Sequence, residues 1–378
     1  MTASSRGGNP PVRLADFTTL GLGGPAKTFV SASGEDTLTA AVRSADAARE
    51  PVLVIGGGSN LVIADAGFDG TVIHVNTRGV SYAPSRQSAD HVDVTVAAGE
   101  DWDDVVAATT AEGLAGLECL SGIPGRAGGT PVQNVGAYGH EVAEVITQVR
   151  AYDRQEGRIK AIPNGLCTFA YRTSLFKSGR PESVVCWAGG SSAGVPQPRH
   201  VVLDVTFRLA RQSLSTPVKY AELAAELGVP MGEQAGAAEV RSAVLKIRAR
   251  KGMVRNRGDP DTRSAGSFFT NPVLPAGEFA RVEAAAAGRG TGQVPHFPAG
   301  DGLVKIPAAW LIEHSGFAKG YGAPGPARVS SKHTLALVNA GDATTADLLA
   351  LAREIVGGVR AAYGVTLTPE PILVGVAL

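Results

Sequence analysis

Three short segments each place one reactive side chain among aromatic residues or prolines. They are YRTSLF around Arg172, AGSFFTNP around Ser267 and TPEP around Glu370. Such neighbours exclude water and strengthen the charges of a site, as an enzyme that works by charge stabilisation requires. Taken singly, each is more often a surface ion pair, a turn hydroxyl or a solvated carboxylate. No HExxH motif, G-x-S-x-G motif or convincing Cys/His dyad competes with them.

A glycine turn follows the apolar run from Val52 to Ile55. Its sequence, GGGSNL over 56–61, combines three glycines with the side-chain donors Ser59 and Asn60, so its backbone N–H groups can approach a phosphate closely. It lacks the third glycine of the G-x-G-x-x-G fingerprint and the G-K-[ST] of a P-loop. On these residues alone, phosphate binding and a tight strand-to-strand turn are equally good interpretations.

A longer glycine-rich segment runs SGIPGRAGGTPVQNVGAYG over 121–139. Its polar side chains are almost all uncharged, so the backbone N–H groups supply most of its donors. Such a surface suits a pyrophosphate joined to a flat apolar ring. Because structureless loops of this length are uncommon unless they are functional, we favour a binding loop over a plain surface loop.

Strands dominate the part of the chain that must position these loops. Period-two patterns predict strands over 92–98, 145–152 and 200–209, and a short helix is predicted over 102–112. The first 210 residues therefore combine many strands with few helices, which indicates an α+β fold.

The pattern changes after Arg211. Apolar residues at helical spacing predict helices over 220–227, 237–251 and 346–363, so a second, more helical region begins near residue 215. The last stretch, 365–378, returns to short strand-like runs. We expect this C-terminus to pack back onto earlier β structure.

Length and charge narrow the function further. A chain of 378 residues is long enough for two or three domains. Its 35 Lys and Arg balance its 35 Asp and Glu, which argues against non-specific binding to nucleic acid or anionic membranes. Length and charge therefore favour an enzyme or a binding protein with a small-molecule ligand.

The cysteines and the N-terminus point to the cytoplasm. Cys119, Cys167 and Cys186 form neither an even set nor a C-x-x-C pair, so we expect reduced thiols and no metal site. Residues 1–12 are polar and predict a flexible terminus rather than a secretory signal. The sequence holds no run of about 18 apolar residues, so no membrane insertion is expected.

In their order along the chain, these segments resemble the UDP-N-acetylenolpyruvoylglucosamine reductase family of flavoenzymes. The resemblance covers nearly the whole chain. It rests on TLGLGG at 19–24, GGGSNL at 56–61, IPG and PVQNVGAYG within 123–139, YRTSLFK at 171–177, GSFFTNP at 266–272, AWLI at 309–312 and PEP at 369–371.

The resemblance implies an α+β fold with an FAD-binding region of the vanillyl-alcohol-oxidase type in two parts. The first part would span 13–85 and be completed by 365–378, and the second would span 86–214. A smaller α+β substrate-binding domain would cover 215–364. Because the FAD loops lack a Cys or His suited to covalent attachment, with His140 the nearest exception, we expect non-covalent FAD.

The family takes hydride from NADPH onto FAD and reduces the enolpyruvyl ether of UDP-N-acetylglucosamine to UDP-N-acetylmuramate, a peptidoglycan precursor. By family match Arg172 would bind the substrate carboxylate, Glu370 would help to stabilise the enolate, and Ser267 would donate the proton. A serine is a weak acid, so a lysine or an ordered water is expected near Ser267. The cofactor-binding residues implied are Gly57, Gly58, Ser59, Asn60, Leu61, Ser121, Gly122, Ile123, Pro124, Gly128, Gly129, Thr130, Asn134, Gly136, Ala137 and Tyr138.

Substrate contacts follow by the same match. Tyr220 resembles the tyrosine with which one subclass closes over the substrate diphosphate. Asn271 and Lys251 match further diphosphate contacts. His333 stands where a relative carries glutamine and would donate to the same phosphate.

Two other functions compete with this one. The first is an FAD-dependent oxidase of a small alcohol or sugar on the same fold, which would have no use for the pairing of Ser267 with Glu370. The second is a nicotinamide-dependent dehydrogenase with GGGSN as its turn. The missing third glycine and the absence of regular β-α-β alternation count against that dehydrogenase.

Overall fold

The computed structural model describes residues 11–177 and 198–378. Most of the predicted flexible N-terminus, residues 1–10, and Cys186 lie outside the described residues. Within them the chain forms 18 β-strands and seven α-helices. The strands are β1 Ala26–Ala32, β2 Val52–Ile55, β3 Leu61–Ile63, β4 Phe68–Val75, β5 Val80–Pro84, β6 His91–Ala97, β7 Leu114–Ala115, β8 Gly136–Ala137, β9 His140–Glu141, β10 Ile146–Asp153, β11 Arg158–Pro163, β12 His200–Arg211, β13 Val273–Pro275, β14 Phe297–Pro298, β15 Leu303–Lys305, β16 Ala327–Val329, β17 Leu337–Asn339 and β18 Ile372–Val374.

The helices divide between the two halves of the chain. They are α1 Glu35–Ala47, α2 Trp102–Ala111, α3 Ala221–Leu227, α4 Ala237–Arg250, α5 Ala276–Arg289, α6 Ala308–His314 and α7 Thr345–Tyr363. Short 3-10 helices cover Leu14–Phe17, Glu118–Leu120, Ala127–Gly129, Val142–Glu144, Asn164–Leu166 and Pro260–Thr262. None of the helices in the described residues is both long enough and apolar enough to cross a membrane.

A small parallel sheet begins the fold, with strand order β1-β4-β2. Helix α1 covers it with the apolar face of Leu38, Val42 and Ala45, which recurs at helical spacing and is buried. Beside this sheet, β3 pairs in parallel with β18 at the C-terminus. The prediction that the C-terminus packs back onto earlier β structure is confirmed.

The larger sheet is antiparallel, in the order β11-β10-β12-β6-β5, with β7 paired to β12. Strand β6 alternates between buried and half-buried residues, as expected when only one face of a strand meets the core. The predicted strands over 92–98, 145–152 and 200–209 are confirmed to within two residues at each end, as is helix α2.

The later helices pack in two separate groups. Helices α3 and α4 bury Val218, Leu223, Val244 and Ile247 together with Cys119. Helices α5, α6 and α7 share another core that also takes in Leu20, Leu22 and Val62 from the start of the chain. The second half of the chain is thus anchored at two places on the first half.

Helix α7 has clear end signals in the sequence. The Thr344 hydroxyl accepts a hydrogen bond from the backbone N–H of Asp347 at 3.1 Å, and the Asp347 carboxylate accepts one from the N–H of Thr344 at 2.9 Å. Gly364 ends the helix in the left-handed region, with φ of 71°. The predicted helices corresponding to α3, α4 and α7 are confirmed.

Helices α1, α5 and α6 are absent from the sequence predictions. In α5 the buried face consists of Phe279, Val282 and Ala286, and alanines occupy much of the remaining surface. The helical spacing of this buried face is as clear as that of α7, so the sequence does contain the signal for α5. Helix α6 spans seven residues and opens with the apolar run AAWLI, and periodicity does not distinguish a short apolar run in a helix from one in a strand.

Candidate active site

A cavity of about 570 Å³ lies where the glycine-rich loops meet the YRTS turn and the helical region. Many residues predicted from the sequence to form the site line this one cavity. They are Gly57, Gly58, Ser59, Asn60, Leu61, Ile123, Pro124, Gly128, Gly129, Thr130, Gly136, Ala137, Tyr138, Arg172, Tyr220, Lys251, Ser267, His333 and Glu370. Residues far apart in the sequence therefore converge on a single site.

The glycine turn after β2 is packed too closely for side chains. Gly58 has φ of 58°, and a Cβ atom there would lie 1.9 Å from the carbonyl oxygen of Phe17. A Cβ atom on Gly57 would lie 2.8 Å from Cα of Gly125 in the second loop. Glycine is therefore required where the two loops meet, and the turn presents backbone to the cavity.

The second loop is fixed by backbone hydrogen bonds to the segment between β6 and α2. The N–H groups of Ala127 and Gly128 donate to the carbonyls of Glu100 and Ala98, each at 2.9 Å. A Cβ atom on the cavity-lining Gly129 would meet no atom within 4 Å, so the loop leaves open space there. Because the N–H groups of Ala127, Gly128 and Gly129 donate to other backbone carbonyls, they hold the loop in place, and the space beside Gly129 leaves room for a ligand.

The cavity also has apolar walls, formed in part by Val54, Val75 and Val202. An elongated ligand that carries both phosphates and flat rings needs this combination of glycine backbone and apolar wall. The residues present therefore fit a flavin dinucleotide.

Arg172 has its backbone in the left-handed region, with φ of 54°, inside a turn closed by a bridge between Ala170 and Thr173. Its Nε lies 2.9 Å from Oε1 of Glu370, and its Nη2 donates to the carbonyl of Gly136 at 3.2 Å. The Lys177 ammonium donates to the backbone carbonyl of Arg172 at 2.8 Å. The guanidinium is thus fixed in direction.

Backbone pairing brings the segments of Ser267 and Glu370 together. Phe269 forms a bridge with Pro369, and the N–H of Glu370 donates to the carbonyl of Phe268 at 2.9 Å. The Asn60 amide donates to the Glu370 carbonyl at 3.3 Å, which ties this segment to the glycine turn. Among the described residues, the Ser267 hydroxyl has no hydrogen-bond partner, so it is available to a ligand.

Burial shifts two charged groups of this cluster, Glu370 and Lys177, toward their neutral forms. It raises the pKa of the Glu370 carboxyl, although the positive charges of Arg172 and Lys177 act in the opposite direction. It lowers the pKa of the Lys177 amine, with Glu370 opposing and Arg172 reinforcing the shift. Charge that develops on a substrate here would meet little competing water.

A second group of residues surrounds another part of the cavity. Tyr138 and Tyr220 make an edge-to-face contact with centroids 5.4 Å apart, and the side chain of Tyr220 is exposed. Burial lowers the pKa of His333 to about 4, and the charges of Lys251 and Lys319 contribute to that shift. A neutral imidazole among cations suits an anionic ligand.

Four predicted site residues do not line the cavity. The hydroxyl of Ser121 donates to the Glu118 carbonyl, and the N–H of Gly122 donates to Asp103. The amide of Asn134 donates to Glu141 and to the Ala170 carbonyl, so it supports the loop and the YRTS turn. Asn271 accepts from the N–H of Ala308 at 2.9 Å and holds the start of α6.

Several lining residues are missing from the sequence-based site. They include Gly56, Gly125, Arg126, Gln133, Lys177, His200 and Arg248. Gly56, Gly125, Gln133 and Lys177 lie inside the predicted motifs, so their proximity in sequence to predicted residues is the signal that indicates them. Arg248 lies on the amphipathic helix α4, where an arginine is expected to face solvent, and only the packing shows that its Nε is buried.

Comparison with known proteins bears directly on this site. A model of the UDP-N-acetylenolpyruvoylglucosamine reductase C-terminal domain matches residues 259–374, and an FAD binding domain model matches residues 26–162. The UDP-N-acetylenolpyruvoylglucosamine reductase of Thermobifida fusca is 53% identical over 369 residues, which cover 97% of this chain and 98% of that protein. The reductase of Streptomyces coelicolor is also 53% identical, over 97% of this chain and 90% of that protein. The predicted cofactor, FAD, is confirmed.

A solved structure supports the fold. The UDP-N-acetylenolpyruvylglucosamine reductase from Thermus caldophilus superposes with a TM-score of 0.59 at 24% identity, over 96% of this chain and 98% of that one. With the two family-model matches, this confirms the predicted α+β fold with an FAD-binding region and a second, C-terminal domain. The boundaries drawn at residues 85, 214 and 364 stay predictions.

The predicted resemblance therefore holds along almost the whole chain, and the oxidase and dehydrogenase alternatives are not needed to explain it. The chain belongs to the UDP-N-acetylenolpyruvoylglucosamine reductase family of oxidoreductases, which act in peptidoglycan precursor synthesis.

Proposed function

We propose that this enzyme uses NADPH to reduce the enolpyruvyl ether of UDP-N-acetylglucosamine to UDP-N-acetylmuramate, with Ser267 as the proton donor. One observation carries the proposal. Arg172, Ser267 and Glu370 come from three separate segments and line the same cavity as the glycine turn and the second glycine-rich loop. A cofactor held along those loops would be within reach of all three groups.

FAD, when bound, supplies the hydride that it receives from NADPH. The backbone of 56–61 and of 123–138 would hold it. We propose that attachment is non-covalent. His140, the nearest candidate for a covalent link, is buried and has both ring nitrogens engaged, Nδ1 with Glu144 at 2.9 Å and Nε2 with the carbonyl of Pro217 at 3.0 Å. That geometry supports a dissociable cofactor.

The catalytic cluster accounts for the rest of the reaction. Hydride adds to one carbon of the enolpyruvyl double bond, and negative charge develops on the substrate carboxylate and the other carbon. Arg172, held by Glu370 and Gly136, would stabilise that charge. Burial favours the protonated form of Glu370, which would donate a hydrogen bond to the same carboxylate. Ser267 would give its proton to the second carbon, completing the single C–C bond.

The diphosphate of the substrate would lie among Tyr220, Lys251 and His333. Lys251 is paired with Glu222 on α3, and Tyr220 immediately precedes that helix, so a bound phosphate would compete with Glu222 for the ammonium. Asn271 lies outside the cavity lining, so it would act indirectly, by accepting from the N–H of Ala308 and holding the start of α6. Exposure of Tyr220 supports its proposed role as a lid.

The predicted division of the chain is part of the same proposal. Residues 13–85 with 365–378, and residues 86–214, would form the two parts of the FAD-binding region, and residues 215–364 would bind the sugar nucleotide. The use of NADPH and of a nucleotide sugar supports the cytoplasmic location inferred from the cysteines.

An anaerobic absorption experiment tests the proposal. The purified protein should show flavin bands that bleach when NADPH is added and return only when the enolpyruvyl sugar nucleotide follows. Bands that return only with oxygen would mean another acceptor and would contradict the proposed substrate. Protein that binds no flavin would contradict the proposed placement of the cofactor.

A further inference from the structure

Arg126 is the one charged residue in the glycine-rich segment 121–139. Its backbone pairs with Asp101 in an antiparallel bridge, and the N–H of Gly129 donates to its carbonyl at 2.9 Å. The hydrogen bonds of Ala127 and Gly128 to the β6–α2 segment fix the residues that follow it. The direction of the Arg126 side chain is therefore set by a rigid stretch of backbone.

That side chain crosses from the second loop to the glycine turn. A Cβ atom placed on Gly56 would lie 3.1 Å from Cγ of Arg126 and 3.2 Å from its Cβ. Arg126 lines the cavity together with Gly56, Gly57 and Ser59, and its side chain is 21% exposed. The stem of the Arg126 side chain thus packs against Gly56, and the residue faces the same cavity as the glycine turn.

The partners of Arg126 leave its donors largely unused. Within the described part of the chain its one ion pair is with Asp101, at 3.6 Å, and that carboxylate is 47% exposed. A separation of 3.6 Å is too long for a hydrogen bond. The guanidinium therefore has donors available for a ligand.

Arg78 is a second arginine close to His74, and its donors, unlike those of Arg126, are used in hydrogen bonds within the protein. Its Nη1 donates to the Gly99 carbonyl at 2.5 Å and to Glu100 at 3.3 Å, and its Nη2 donates to Asn76 at 2.9 Å. It does not line the cavity among the described residues. Burial, followed by the charges of Arg126 and Arg78, lowers the pKa of His74, so both guanidinium groups raise the positive potential here. The two arginines share a neighbourhood, but only Arg126 faces the cavity with unused donors.

We propose that the Arg126 guanidinium binds the pyrophosphate of FAD and supplies the positive charge that the glycine-rich loops lack. This inference rests on the proposed placement of FAD along the glycine turn. Backbone N–H groups fix the position of a phosphate but carry no net charge, whereas a guanidinium can bind two of its oxygens at once.

Titration of the apoprotein with FAD, followed by flavin fluorescence, tests the proposal without depending on turnover. Arg126→Gln should raise the dissociation constant of FAD by about ten- to a hundredfold, because a charge-assisted hydrogen bond is lost. Arg126→Lys, which keeps the charge without the planar fork, should fall between that variant and the wild type. Arg78→Gln is the matched control and should change the constant less than about threefold.

Competition by ADP, which carries the pyrophosphate without the flavin, should weaken by a similar factor in Arg126→Gln. An unchanged dissociation constant for FAD in both Arg126 variants would overturn the inference. If the KM for NADPH rose in these variants while the dissociation constant of FAD stayed unchanged, the inference would also be overturned. Arg126 would then bind the phosphate of the nicotinamide nucleotide instead of the pyrophosphate of FAD. Either result would leave the proposed function intact if the flavin of these variants still bleaches with NADPH and returns with the sugar nucleotide.

Discussion

Along the glycine-rich loops the groups that face the cavity belong mainly to the backbone, whereas around Glu370 they belong to side chains. The glycine turn packs so closely that a Cβ atom on Gly58 would overlap a carbonyl oxygen. The catalytic cluster instead depends on an ion pair, Arg172 with Glu370, between segments that only the fold brings together. In the glycine-rich loops, function should therefore be lost when a glycine gains a side chain. In the catalytic cluster, it should be lost when a side chain is replaced by one of different chemistry.

The difference also separates cofactor binding from turnover. If the two regions are independent, substitutions in the catalytic cluster should leave FAD bound, and substitutions in the glycine turn should release it. Four substitutions, one of them with a matched control, test the two regions and the proposed diphosphate site in order of decreasing expected effect.

Replacing the proposed proton donor should have the largest effect. Ser267→Ala should lower turnover by about a hundred- to ten-thousandfold, since that is the range a positioned general acid contributes. Reduction of the flavin by NADPH should proceed at the wild-type rate, because the serine takes no part in it. Stopped-flow absorption of the two half-reactions measures both rates, and unchanged turnover would remove Ser267 from its role.

The fixed guanidinium should come next. Arg172→Lys keeps the positive charge but loses the planar fork, so kcat should fall by about ten- to a hundredfold. The FAD content, measured from the ratio of flavin to protein absorbance, should stay at the wild-type value. A variant that lost its FAD would break the comparison, because Arg172 would then support the cofactor as well as the reaction.

A substitution in the glycine turn should weaken stability and FAD binding, whereas Arg172→Lys should lower kcat and keep FAD bound. Gly58→Ala adds a Cβ atom in a left-handed conformation against the Phe17 carbonyl and should lower the free energy of unfolding by about 2 to 4 kcal/mol. It should also reduce FAD retention.

Gly277→Ala is the matched control, since Gly277 lies in helix α5 with open space around its Cβ position. It should raise the free energy of unfolding by about 0.5 kcal/mol and leave FAD bound. Thermal unfolding with and without added FAD distinguishes the two variants. Equal unfolding temperatures would contradict the close packing at Gly58.

The smallest effect on turnover is expected at the proposed diphosphate site. His333 has a pKa lowered to about 4, so its imidazole is neutral near pH 7 and His333→Gln should change KM for the sugar nucleotide less than about threefold. The unfolded chain binds a proton at the ordinary pKa of histidine, near 6.5, and the folded protein does so only near pH 4.

Stability of the wild type should therefore fall as pH drops from about 6.5 to 4, and His333→Gln should remove about 1 to 3 kcal/mol of that loss. Chemical unfolding at pH 7.5 and pH 4.5 measures the difference. Identical pH dependence in the two proteins would show that burial of His333 does not control its protonation.

The local motifs explain why so much of the site could be predicted. The turn GGGSNL and the loop through PVQNVGAYG bind mainly through their own backbone, so a local sequence pattern is enough to predict their role. Most of their residues line the cavity. Asn134 shows the limit of that reasoning. Its amide is directed at Glu141 and the Ala170 carbonyl, and no local pattern shows which way a loop side chain points.

Long-range packing decided the remaining features. The pairing of Phe269 with Pro369 brings Ser267 and Glu370 to one cavity, and β18 reaches the glycine turn only because it pairs with β3. In the sequence, Arg126 and Arg248 look like ordinary charged surface residues. The fold places Arg126 beside Gly56 and buries Nε of Arg248.

The sequence by itself determined which groups are present, where three strands of the larger sheet and four of the seven α-helices form, and where the backbone needs glycine, because these depend on neighbours within a few residues. Only the tertiary structure decided which groups meet, how far each is buried and how its pKa responds. Those properties depend on contacts between segments that are distant in the chain, and a local sequence pattern does not show which distant segments come into contact.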